Sequence, residues 1–135
     1  MSRPQPFGAY DLLERINVGG MAEVFRAVHR QSRRTIAIKR ILPSIAEDEE
    51  FISMFRDEAT IASQLDHPNI AKIFDIGRVD ASYYIALEFV SGRDMRTIID
   101  NAERRNDAIP LDFTLHVMMS LCKGLDYAHR RKDAN

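Results

Sequence analysis

The period of the hydrophobic pattern changes along this chain, and the order of the changes limits the folds open to it. Apolar and polar residues alternate from Tyr10 to Ile16, and again from Glu23 to His29 after the turn signal Asn17-Val18-Gly19-Gly20. Alternation gives a strand one face for a core, so two such runs around a glycine turn predict a β-hairpin. Gln31 to Arg34 is a polar turn, and Thr35 to Leu42 is a third strand rich in β-branched residues, ended by Pro43. Ala46 to Leu65 then adopts a helical period. Phe51, Phe55, Ala59, Ala62 and Leu65 recur at three- and four-residue spacing, with Asp48, Glu49 and Glu50 suited to a helix N-terminus. Pro68 forbids continuation. Ile70 to Ile76 and Ser82 to Val90 are again strands, joined by a turn around Gly77. The order is three strands, a helix and two strands, after a loose lead-in over residues 1–9.

Past Ser91-Gly92 the pattern is helical. Met95, Ile98, Ile99 and Ala102 make one short stripe, and Asn101 to Pro110 reads as a charged loop. Pro110 opens a longer helix with Val117 or Met118, then Leu121, Leu125 and Ala128 on one side, before the charged run Arg130 to Asn135. Nineteen basic residues face twenty acidic ones, a net charge of −1 that argues against a polycation for nucleic acid or membrane surfaces. The single cysteine, Cys122, excludes an internal disulfide framework and a multi-cysteine zinc site, and is expected to pack in the last helix. His29, His67 and His116 cluster neither with each other nor with Cys122, so no metal site is expected, and His67-Pro68-Asn69 reads as a turn. No run approaches the ~18 apolar residues of a membrane span, and the first residues lack a signal-peptide layout. A cytoplasmic protein is the expectation.

Two charges stand in apolar company. Lys39 is one of only four lysines, with Lys72, Lys123 and Lys132, and by strand alternation it shares a face with Thr35, Ala37 and Ile41. Alone, it reads as a lysine snorkelling from a strand edge. Glu58 falls on the helix stripe of Phe55, Ala62 and Leu65. Alone, it reads as a glutamate at the stripe's edge reaching water, because a desolvated carboxylate without a partner costs several kcal/mol. A helix packed on the sheet can bring the two together, and each charge then explains the other. The glycine turn, alone an ordinary hairpin turn, also leaves room for a backbone to approach a polyanion.

In order and spacing these elements resemble the N-terminal half of a eukaryotic-type serine/threonine protein kinase of the bacterial kind. The resemblance runs from Tyr10 to His129. The Gly-rich loop is Asn17-Val18-Gly19-Gly20-Met21-Ala22-Glu23-Val24, and the strand lysine lies in Ile36-Ala37-Ile38-Lys39. The helix glutamate lies in Phe55-Arg56-Asp57-Glu58-Ala59, followed by Leu65-Asp66-His67-Pro68-Asn69-Ile70. The hinge resembles Ala86-Leu87-Glu88-Phe89-Val90-Ser91-Gly92, with Asp94-Met95 next, and Gly124-Leu125-Asp126-Tyr127-Ala128-His129 resembles the helix before the catalytic loop. Asn17 and Ala22 stand where the family's loop has its first and third glycines.

The resemblance implies an α+β fold. A kinase N-lobe over 10–90, a five-stranded antiparallel sheet with one packed helix, would lead into a hinge and two helices of an incomplete helical lobe over 91–135. It implies ATP as cofactor, and a protein substrate for the complete enzyme. Lys39 and Glu58 become the catalytic pair, Lys39 on the α- and β-phosphates and Glu58 fixing Lys39. Gly19, Gly20 and the loop backbone cover the phosphates. Ile16, Val24 and Ala37 roof the adenine, Leu87 is the gatekeeper, Glu88 and Val90 offer backbone groups to the adenine edge, and Asp94 reaches the ribose. The family's H-R-D and D-F-G motifs, which supply the base and the Mg²⁺ ligands, do not occur in these residues. His129 is then a packing residue or a helix C-terminal cation. The implication is a chain without kinase turnover on its own, and an exposed apolar stripe on the helix over 113–129 open to self-association. The alternative is a short pseudokinase module that binds a nucleotide or a partner.

Overall fold

In the computed structural model, which describes residues 3–131, the alternating runs pair into one sheet and the helical runs form three helices. The chain divides into two units, residues 1–66 with 71–89, and residues 67–70 with 90–135.

The first unit holds β1 (Gln5–Phe7), β2 (Tyr10–Val18), β3 (Ala22–His29), β4 (Thr35–Ile41), α1 (Glu49–Ser63), β5 (Ile73–Val79) and β6 (Ser82–Glu88). The sheet is antiparallel with order β1-β2-β3-β4-β6-β5. It curls until strands far apart in that order touch. The Tyr10 hydroxyl on β2 donates to Asp75 Oδ2 on β5 at 3.0 Å, and the Tyr84 hydroxyl on β6 donates to the same oxygen at 2.7 Å. The Phe7 ring meets the Tyr84 ring edge-on at 5.4 Å. Burial, and then the Asp75 carboxylate, push the Tyr10 hydroxyl pKa up to about 12, and Tyr84 moves the same way for the same reasons. Inside the curl, Phe7, Tyr10, Leu12, Ala27, Ile36, Ile38, Tyr84 and Ala86 form one core. On the other face, Ile41 and Ile85 pack against Phe55 and Ala59 of α1. With both faces covered, β4 buries Ile36, Ala37 and Ile38 in succession.

Several boundaries differ from the sequence expectation. The lead-in is not wholly loose: β1 makes a sixth strand, because Phe7 finds a place in the curled core. α1 starts at Glu49 rather than Ala46, since Asp48 caps it by accepting from the Phe51 N–H at 3.0 Å. β5 starts three residues later than expected and runs through Gly77, which pairs with Tyr84. A Cβ on Gly77 would come within 2.8 Å of the Tyr84 hydroxyl, so this glycine serves close approach inside a strand. The chain turns instead at Asp80, which has a φ of 52°.

The second unit holds the turn His67–Ile70, α2 (Met95–Arg105) and α3 (Leu111–Arg130). α2 continues past Asn101, where a loop was expected, because Arg104 bonds back to the Asn101 side chain at 2.7 Å and Asn106 ends the helix at a φ of 53°. His67 does form a turn, its Nδ1 accepting the Asn69 N–H at 3.0 Å. The Asn69 amide donates to the Ser120 carbonyl at 2.8 Å, and the His67 and Tyr127 rings lie 5.2 Å apart. Gly124 is the one buried residue of α3, and α2 has none. Cys122 is exposed rather than packed, on a helix that buries little of its surface. Leu111, Phe113, Leu115, Met118, Met119, Leu121 and Leu125 are exposed as well. Of the charged run after α3, residues 132–135 lie outside the described residues.

Candidate functional site

Strand pairing gathers one set of side chains. Val24 lies opposite Lys39 across β3 and β4, Lys39 opposite Ile85 across β4 and β6, and Ala37 opposite Leu87. Paired residues share a face, so these five form a patch on the α1 side of the sheet. Phe55 anchors α1 to that side, and Glu58 follows one turn later. Lys39 Nζ lies 3.3 Å from Glu58 Oε1 and 5.6 Å from the Phe55 ring centroid. The Glu58 side chain is 65% exposed and that of Lys39 31%. Glu58 therefore sits at the rim of the helix's buried stripe and not within it, where water still reaches the carboxylate. A pair this hydrated contributes about 0–1 kcal/mol, so what it fixes is the place of the lysine charge.

The pair faces a cavity of about 580 Å³. Asn17, Gly19, Gly20, Ala22, Val24, Lys39 and Glu58 line it, together with Met21, Phe51, Met54 and Phe55. Phe51, Met54 and Phe55 on α1 were not singled out as site residues, because a helical stripe looks alike whether it walls a core or a cleft. Gly19 N–H donates to the Ala22 carbonyl at 2.8 Å and closes the turn. Neither Gly19 nor Gly20 has a left-handed φ, and a Cβ on Gly20 would meet nothing within 4 Å. Contacts within the chain thus leave the space over Gly20 open to a ligand.

The remaining candidates do not line this cavity. Ile16 sits where the β2–β3 register shifts, half exposed and off the cavity wall. Ala37 is buried, and Leu87 beside it packs on the α1 core. The Glu88 N–H already donates to the Lys72 carbonyl at 2.7 Å, and Glu88 Oε2 accepts the Lys72 N–H at 3.1 Å. In the helical unit, Val90 is exposed. Asp94 caps α2 by accepting the Thr97 N–H at 2.7 Å, which holds its carboxyl below the usual range. Among the described residues no three His, Cys, Asp or Glu side chains gather to hold a metal ion, and no helix is long and apolar enough to cross a membrane.

Comparison with known proteins fits this geometry. Residues 10–133 match the family model described as protein kinase domain. The chain is 39% identical over 128 residues to the tyrosine-protein kinase MasK of Myxococcus xanthus, covering 93% of this chain and 20% of that protein. It is 38% identical over 125 residues to the serine/threonine-protein kinase PrkC of Bacillus subtilis, covering 93% and 19%. The crystal structure of the Mycobacterium tuberculosis PknI kinase domain superposes with a TM-score of 0.77 at 29% identity, over 97% of this chain and 52% of that one. The chain thus spans about a fifth of the length of these curated relatives and about half of that kinase domain.

Proposed function

This chain belongs to the protein kinase family, and from that premise we propose that the cavity under the glycine turn is the upper half of an ATP site. The Lys39–Glu58 pair carries the proposal, because it aims a mobile point charge into a cavity whose glycine backbone is open to a polyanion. Lys39 holds the α- and β-phosphates, and Glu58 orients Lys39. The backbone of Gly19 and Gly20, with Asn17 and Ala22 at the ends of the turn, closes over the phosphates. Ile16, Val24 and Ala37 form the apolar roof for adenine, with Leu87 as gatekeeper. Glu88 has its N–H occupied, so its carbonyl is what remains for the adenine edge, and Val90 adds its backbone groups. Asp94, ionised as a helix cap, has acceptor capacity left for the ribose hydroxyls.

ATP, when bound, supplies the γ-phosphoryl group that a kinase of this family transfers to a serine or threonine hydroxyl of a protein substrate. On this reading the domain works in the cytoplasm, where ATP is available to it. Base and Mg²⁺ ligands of the H-R-D and D-F-G kind are not among these 135 residues. The 135-residue polypeptide alone therefore binds nucleotide without turnover. Thermal denaturation with millimolar Mg-ATP tests both parts. Saturation to ~100 times the Kd would add about 2.7 kcal/mol of stability, and Lys39→Met should lose most of the upward shift. An unshifted parent chain removes the binding site, and phosphate release above background removes the claim of no turnover.

A further inference from the structure

We propose that Glu23 and Arg40 form a positioning clamp that holds the glycine turn and Lys39 in register from the far side of the sheet. The clamp rests on the ATP-site proposal above. Glu23 is the one buried charged residue among the described residues, at 6% exposure. Arg40 Nε and Nη2 both donate to Glu23 Oε1, at 3.0 and 2.6 Å, and Arg15 Nη1 stands 3.6 Å from Oε2. The Arg40 guanidinium carbon lies 4.9 Å from the Phe25 ring centroid and 5.5 Å from that of Phe7. Aromatic faces of this kind favour a desolvated cation.

A buried ion pair is weak as a source of stability, because desolvating both charges cancels much of their attraction, and its best-attested use is to fix registry. Here the registry matters. Glu23 is opposite Arg40, and the next pair along is Val24 opposite Lys39. Successive side chains point to opposite faces, so Glu23 backs Val24 and Arg40 backs Lys39. The ladder runs on to the root of the turn, where the Leu42 N–H donates to the Met21 carbonyl at 3.1 Å. A slip of one residue would turn Lys39 away from the cavity and bring Arg40 into its place. The Glu23–Arg40 bonds oppose that slip.

The test uses the 135-residue chain, Glu23→Gln, and the double variant Glu23→Met/Arg40→Met, which keeps apolar volume without charge. Amide hydrogen exchange without nucleotide is read at residues 17–24 and at 82–88, and the Mg-ATP thermal shift is read beside it. Glu23→Gln should speed exchange at 17–24 by about tenfold, the effect of weakening a charged hydrogen bond, and leave 82–88 as in the parent. The double variant should recover melting temperature but not slow exchange at 17–24. A merely structural pair would instead speed both segments alike in Glu23→Gln, or recover slow exchange in the double variant, and either result overturns the clamp. A parent chain with no Mg-ATP shift would sink the ATP site, while the exchange measurement still decides the clamp. With a shift in the parent, Glu23→Gln should lower it, and an undiminished shift counts against the clamp.

Discussion

The strand unit and the helical unit treat their apolar residues in opposite ways. In the first, Leu12, Ile38 and Ile41 lie at 2% exposure or less, because the sheet curls over one core and α1 covers the other. In the second, Leu115, Met118, Met119 and Leu121 on α3 are at least half exposed, and polar contacts such as Asn69 to Ser120 hold the turn His67–Ile70 to the helix. A curled sheet with a helix on its outer face makes a core from local pairings. An amphipathic helix needs a surface supplied from elsewhere, since its own residues face outward from a single rod.

The sharpest way to break this contrast is to cut one large side chain from each unit. Ile38→Ala removes a residue at 0% exposure, and should cost about 2–5 kcal/mol in urea unfolding. Leu125→Ala removes one at 47% exposure and should stay within about 0.5 kcal/mol. Equal losses would mean that α3 is as well packed as the sheet.

A pH titration sharpens the contrast on the strand side. Burial and Asp75 raise the Tyr10 hydroxyl from its ordinary 10.0 to about 12, and Tyr84 in the same direction. The folded sheet thus favours the neutral phenols. Their contribution is complete below pH 10 and is lost as the pH rises from 10 through about 12. Urea midpoints should fall over that window in the parent chain, and Tyr10→Phe should fall less steeply. A flat midpoint from pH 9 to 12 would show that the Tyr10–Asp75–Tyr84 closure does not hold the curl together.

Sequence pattern made the order of strands and helices legible, because alternation and helical spacing are local signals. The glycine turn, Lys39 and Glu58 could be assembled from the same signals once α1 was packed on the sheet. What escaped depends on the curl. β1 is only three residues long and earns its strand from pairing with β2. Gly77 looked like a turn because the Tyr84 ring that presses on it comes from another strand. Alternation places Glu23 on one face with Phe25 and Ala27, and Arg40 on one face with Ile36 and Ile38, so both are charges in apolar company, as Lys39 is. That spacing does not show that the two are opposite each other across β3 and β4, or that Phe7 of β1 lies against the arginine.

The smallest expected change in stability belongs to the residue with the largest expected role. Lys39 and Glu58 meet in water at the rim of a cavity, so Lys39→Met should move the urea midpoint by no more than about 1 kcal/mol. The methionine also keeps an attractive contact with Phe55, sulfur on an aromatic ring replacing the cation. The Mg-ATP shift should nevertheless collapse in this variant. Stability and ligand binding would then separate at one side chain, as expected if the charge serves the cavity and the neighbouring apolar residues serve the core. A loss on the scale of Ile38→Ala would place Lys39 among the residues that hold the sheet together, and the collapse of the ATP shift would no longer single out a phosphate ligand.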